Sequence, residues 1–156
     1  ELKSRDESIY IRRLQQLSCT IFWIGVMFAV GVTVLSHFII DILYGEAYSP
    51  ARTPLLFMIW STVFSAMSYA RSIWMISENK QKYNKNILLC GVITNLILNG
   101  ILIPKIGMIG AAFATLVTEI VCCFVAPFCI KHTRTYVKYM IGSLNPIKLL
   151  LNEHHN

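Results

Sequence analysis

Apolar residues fill this chain in long unbroken runs, without the alternation of a half-buried strand or the one-sided spacing of a surface helix. No Lys, Arg, Asp or Glu occurs from Leu14 to Ile40, from Thr53 to Ala70, from Asn86 to Pro104 or from Ile106 to Thr118. A helix crossing hydrocarbon needs about 20 mostly apolar residues at about 1.5 Å rise each. Four stretches meet that need: 17–43, 54–77, 86–103 and 107–130. The shortest, opening at Asn86 and closing before Pro104, has the least length to spare for tilting. In water, four such helices would need amphipathic elements to cover them, and none is left in the chain to do so. The pattern predicts an all-α polytopic membrane protein with an interfacial segment at 1–16, a four-helix region at 17–130 and a tail at 131–156.

Composition agrees: 55% of the 156 residues are hydrophobic and only 14% charged, and the mean hydropathy is +0.56. The net charge of +6 raises the possibility of a nucleic-acid partner. The placement of the basic residues speaks for a bilayer instead. Eleven of the fourteen fall before 17–43 (Lys3, Arg5, Arg12, Arg13), between 54–77 and 86–103 (Lys80, Lys82, Lys85), or in the tail (Lys131, Arg134, Lys138, Lys148). The opposite loops carry only Arg52 and Lys105, and Arg71 lies within a span. By the positive-inside rule both ends of the segment are expected in the cytoplasm. The chain opens at Glu1 without a basic, apolar and small-residue leader, which reads as the remainder of a longer protein.

Two flanking stretches suit the membrane surface. Ile9, Ile11, Leu14 and Leu17 interleave with Arg12, Arg13 and Gln16, as in a helix lying at the headgroups; a solvated linker fits the same residues. Tyr136, Tyr139, Met140 and Leu144 recur at helical spacing beside Arg134 and Lys138 until Pro146, which predicts an interfacial helix held by anionic lipid. His154 and His155 close a polar end with no assigned role. The five cysteines (Cys19, Cys90, Cys122, Cys123, Cys129) all fall within spans and act there as small apolar groups, so neither a disulfide framework nor a metal site is expected.

Polar residues inside the spans carry most of the functional information, because hydrocarbon penalises them unless they face protein or water. Glu119 stands twelve residues from both Gly107 and Lys131, about 18 Å from either helix end at 1.5 Å per residue. No glutamate snorkels that far, so it must be protonated, paired or hydrated. It is either an ion, proton or substrate-coupling site, or a neutral carboxyl bonding between helices; Ala111, Thr115, Thr118, Cys122 and Ala126 give its face the small, polar character that either role needs. Arg71 is near enough to its helix end to snorkel, or faces a cavity as a cation, with Ser65, Ser68 and Ser72 along a similar face. Asn95 and Asn99 share a face with Gly91, suited to packing on 107–130 at Gly110 and Ala111 or to contacting a substrate. His37 and Asp41 stand one turn apart and can form a local pair or cap the interface. Tyr44-Gly45-Glu46-Ala47-Tyr48-Ser49-Pro50 is a short interfacial loop, and Pro104-Lys105-Ile106-Gly107 a tight turn that makes the last two helices an antiparallel hairpin. No catalytic constellation is present.

Two motifs carry a resemblance. The run Asn95-x3-Asn99, then Leu102-Ile103-Pro104-x2-Gly107-x2-Gly110-Ala111-Ala112-x-Ala114-Thr115 up to Glu119, resembles polysaccharide flippases of the O-antigen (Wzx) type, within the multidrug/oligosaccharidyl-lipid/polysaccharide exporter superfamily. Leu43-Tyr44-Gly45-Glu46-x-Tyr48, with Ala51 and Leu55, resembles the segment between that family's ninth and tenth helices. The likeness spans about 1–150 and implies the last four helices of a fold of some twelve.

What the resemblance implies is a non-enzymatic transporter without cofactor, monomeric when complete, in the bacterial inner membrane. It would carry an undecaprenyl-pyrophosphate-linked oligosaccharide between leaflets, in contact with membrane lipids and polysaccharide-assembly proteins and with no nucleic acid. The cavity candidates are then Arg71, Asn95, Asn99, Thr115 and Glu119. The segment offers a single intramembrane cation, so a strongly basic cavity would need residues from elsewhere. The alternatives are a drug/cation antiporter of the same superfamily or a fragment inactive alone. A membrane glycosyltransferase or polymerase subunit would need an acidic catalytic pair or a large loop, and neither occurs.

Overall fold

The structure, a computed structural model, describes residues 2–143, and among these every regular element is helical. Helix α1 (Leu2–Leu43) leads through a short 3-10 turn (Glu46–Ala51) to α2 (Arg52–Ser77), and a second 3-10 turn (Gln81–Tyr83) leads to α3 (Asn84–Ile120). A π-helical turn (Val121–Val125), the single-turn α4 (Ala126–Cys129) and α5 (Arg134–Ser143) complete it.

Three segments are long and apolar enough to cross a membrane: Ile9–Leu43, Ala47–Ser77 and Gln81–Cys129, with mean hydropathies of 2.1, 1.2 and 2.1. Much of their apolar surface has no protein cover. Val34 on α1 and Leu96 on α3 are 76% and 72% exposed, amid a girdle of outward-facing Ile, Leu, Val, Met and Phe. Such a girdle suits hydrocarbon and is far beyond the apolar patches that monomers show to water.

Expected boundaries shift in two places. The first span does not begin at 17 after a separate surface helix: α1 is continuous from Leu2. No proline interrupts the sequence up to Leu43, and nothing between Ile9 and Leu17 stops a helix. The 42-residue helix is about 63 Å long at 1.5 Å per residue, roughly twice the hydrocarbon thickness, so its basic N-terminal part projects beyond it. The spans expected at 86–103 and 107–130 lie within one helical segment divided at Gly107, whose φ of 57° and ψ of −132° are non-helical. The two arms fold back antiparallel. The Cys122 thiol lies 3.9 Å from Ile87 O, and Asn95 bonds to Thr118; a Cβ on Gly110 would stand 2.6 Å from Leu102 O. The reversal needs glycine twice, for the dihedral at 107 and for the close approach at 110.

Helix ends follow local chemistry. Gly45 (φ 78°) stops α1, with its N–H and that of Tyr44 on Ile40 O. Pro54 is tolerated in the first turn of α2, where no N–H is needed. That helix closes in a Schellman motif: Asn79 takes φ 57°, Asn79 N–H donates to Ile76 O and Lys80 N–H to Met75 O. In the π turn the Ala126 N–H donates to Val121 O. Pro127 supplies no N–H for the Cys123 carbonyl and its ring crowds it, which accounts for the widening just before.

The densest packing lies at the end where α5 closes the bundle. Met67, Trp74, Met75, Ile87, Cys123, Ala126, Tyr136 and Met140 form one buried cluster. Tyr136 stacks on Trp74 at 5.0 Å between ring centres and meets the Ser18 hydroxyl at 3.3 Å. The apolar face of α5, expected to lie on lipid, is therefore used by the protein: Tyr136, Val137 and Met140 are each 1% exposed. The reason is the continuous α1, which with α2 extends a surface for α5 to cover. Leu144, Pro146, His154 and His155 lie outside the described residues.

Gly107→Ala is expected to destabilise the folded protein by about 1–3 kcal/mol, whereas Gly100→Ala, where an added Cβ meets nothing within 4 Å, should be neutral or stabilising by up to about 1 kcal/mol. Thermal unfolding of both variants in detergent checks the pair; equal losses would remove the special role of Gly107.

Candidate functional site

A groove of about 390 Å³ runs along the outer face where the two arms of α3 meet. Leu88, Val92 and Leu96 form its apolar wall, and Asn95, Asn99, Thr118 and Glu119 its polar stripe, with Gly91 and Cys122 at the base. Gly91 makes the groove possible, since a Cβ there would overlap the Cys122 sulfur and force the arms apart. Across the seam Asn95 Nδ2 donates to Thr118 Oγ1 at 3.3 Å, and Asn99 Nδ2 donates to Asn95 Oδ1 at 2.8 Å. The Asn99 Oδ1 atom is buried and accepts no hydrogen bond. The amides thus do pack against the second arm, but at Thr118 and not at Gly110 and Ala111. Those two lie too close to the reversal, where Gly110 is already filled by the Leu102 carbonyl.

Of the sequence-derived candidates, Glu119, Asn95 and Asn99 come together in this groove. Thr115 does not join its lining; its hydroxyl donates to Ala111 O at 3.0 Å, within its own helix. Arg71 is also elsewhere. It neither snorkels nor faces an open cavity: it is 2% exposed and its Nη1 donates to Cys122 O in the π turn. That carbonyl is where a helical hydrogen-bond ladder is disturbed, so a strong donor finds an acceptor in the middle of the bundle. Arg71 Nε and Ser68 Oγ stay buried and unpartnered, and Ser72 donates to Ser68 O at 3.0 Å.

Glu119 links groove and interior. Its carboxyl lines the groove and interacts electrostatically with the Arg71 guanidinium and with the Ser65 hydroxyl on α2. Direct ion pairs form elsewhere, Arg52 to Asp41 at 3.5 Å and Lys80 to Glu78 at 3.6 Å. The arrangement therefore sets one carboxyl at the surface of the hairpin with a buried cation behind it. It can accept a proton, a cation or a hydroxyl donor from the groove while the Arg71 charge holds the opposite side.

Sequence reasoning missed two partners. Arg52 joins His37 and Asp41: its Nη1 meets His37 Nε2 at 3.0 Å and its Nη2 the Asp41 carboxylate, which ties the end of α1 to the start of α2. His37 and Asp41 act through this shared cation, which their one-turn spacing could not reveal. The other is Tyr136, outside the spans. Burial raises its pKa, with the Ser18 hydroxyl lowering it, so it remains a neutral phenol.

No protein-family model, no curated protein and no solved structure matches this chain.

Gly91→Ala should cost about 1–3 kcal/mol through overlap with Cys122, and much of that loss should be recovered in the Gly91→Ala/Cys122→Ala double variant. A double-variant loss equal to the sum of the single losses in detergent melts would mean that the two side-chain positions do not touch.

Proposed function

We propose that this chain is the four-crossing part of a non-enzymatic membrane transporter, of the type that flips lipid-linked oligosaccharides for surface polysaccharide assembly. The observation that carries the reading is the groove: Asn95, Asn99, Thr118 and Glu119 form a polar stripe on the outer face of a hairpin that is otherwise largely apolar between Lys85 and Asn86 at one end and Lys105 at the other. Amides and a carboxyl facing hydrocarbon are costly, so that face belongs against a wet pathway or another polar wall. The folding back of α3 at Gly107 supports two crossings by Gln81–Cys129, and the sorting of the basic residues supports both ends lying on the cytoplasmic side.

The choice of cargo rests on the two sequence motifs and on chemistry. A sugar and pyrophosphate headgroup needs amide and hydroxyl partners along its path, which Asn95, Asn99 and Thr118 supply. Arg71 is withdrawn from the groove, so the cationic groups that a pyrophosphate needs would come from helices facing this wall. In that setting Arg71 is the counter-charge behind Glu119 and not a headgroup ligand.

One observation favours a second reading, a cation-coupled antiporter of the same superfamily. Glu119 lines the groove with a carboxyl, and Asn99, which lines it too, keeps a buried Oδ1 without a hydrogen-bond donor.

Glu119→Gln in the complete protein is expected to lower surface polysaccharide while leaving the amount of protein in the membrane unchanged. Unaltered polysaccharide would reduce Glu119 to a packing group; lost cation-driven drug efflux with normal polysaccharide would select the antiporter.

A further inference from the structure

Two turns remote in sequence meet at the end of the bundle closed by α5. Tyr83, at the end of the Gln81–Tyr83 turn, stacks on His132 of the turn before α5, with ring centres 4.7 Å apart and planes 17° from parallel. The stack draws together the basic residues on both turns and their flanks: Lys82, Lys85, Lys131 and Arg134 are all exposed. Lys82 lies over the Tyr83 ring at 5.2 Å. Arg134 lies over Phe128 at 5.0 Å and its Nε donates to Phe128 O at 2.9 Å, which leaves its two terminal amino groups as further donors. The acidic residue on these turns, Glu78, is already held by Lys80 at 3.6 Å. A concentration of cations is thus built around an aromatic seam without a matching anion on either turn.

We propose that the Tyr83–His132 seam is a docking site for an anionic phospholipid, its phosphate between Lys82, Lys131 and Arg134 and its acyl chains along the adjoining apolar surface. The choice of a lipid over a soluble phosphate rests on what borders the cations. Phe128 beneath Arg134 is exposed, and so are Leu88 and Leu89, one turn beyond Lys85. A soluble anion makes no use of that surface, whereas a lipid matches both halves of it. The site also replaces the mode of attachment expected for α5. With Tyr136, Val137 and Met140 packed inside the protein, α5 keeps Ile141 as its large exposed apolar side chain, so its membrane contact runs mainly through the cations at the seam.

The test measures phosphatidylglycerol, phosphatidylcholine and glycerol 1-phosphate binding to the purified chain in detergent by native mass spectrometry. Phosphatidylglycerol should bind about tenfold more tightly than phosphatidylcholine, and a Lys82→Gln/Lys131→Gln variant should lose that preference, each charge being worth about fivefold. Lys105→Gln, at the Gly107 reversal and remote from the seam in sequence, should leave it unchanged, and detergent melts should show both variants folded. Equal affinity for the two lipids, an undiminished preference in the double variant, or displacement of phosphatidylglycerol by glycerol 1-phosphate at comparable concentration would overturn the proposal.

Discussion

Hydrocarbon offers no hydrogen bonds, so a polar group within an apolar helix must find its partner in protein or in a wet space that protein encloses. That constraint organises the middle of this molecule. Arg71 is deep in the bundle because a π turn presents the Cys122 carbonyl to it. Asn95 is fixed because the reversal at Gly107 brings Thr118 opposite it. These two longer side chains are satisfied across helices through backbone irregularities at Pro127 and Gly107, whereas hydroxyls such as those of Ser72 and Thr115 bond to carbonyls of their own helix.

The same constraint explains why the groove is informative. Arg71, Ser72 and Thr115 all donate to main-chain carbonyls nearby, whereas Glu119 lines an open groove and the Asn99 carbonyl oxygen is buried without a partner. The hairpin solves its own packing with Gly91 and Gly110 and still leaves a polar stripe outward. On the transporter reading, this stripe is a wall waiting for its opposite side, with the Arg71 charge fixing the field behind it.

Much of this was legible in the sequence, and the exceptions have physical causes. The charge-free runs located the apolar segments, and Pro104 with Gly107 located the reversal, because both signals are local. Asn95 and Asn99 were recognisable as neighbours on one helical face and Glu119 as part of a small polar face on the next helix, but their meeting in one groove depends on the register of the two arms, which spacing within each helix does not give. Arg71 was misplaced because its acceptor is a backbone carbonyl of a π turn, and no side-chain pattern announces a free carbonyl. The surface role of α5 failed similarly: Tyr136 and Met140 do form an apolar face, but only the tertiary fold shows that Ser18 of α1 and Trp74 of α2 meet it.

Whether the arms of α3 return across a bilayer is most directly measured by thiol accessibility. In a variant with its five cysteines replaced, single cysteines at Ser49, Gln81 and Lys105 would be treated with an impermeant reagent from outside intact cells. The account requires positions 49 and 105 to react and position 81 to be protected until the cells are opened. Reaction at 81 and 105 alike, or protection of 105 in opened cells, would contradict it.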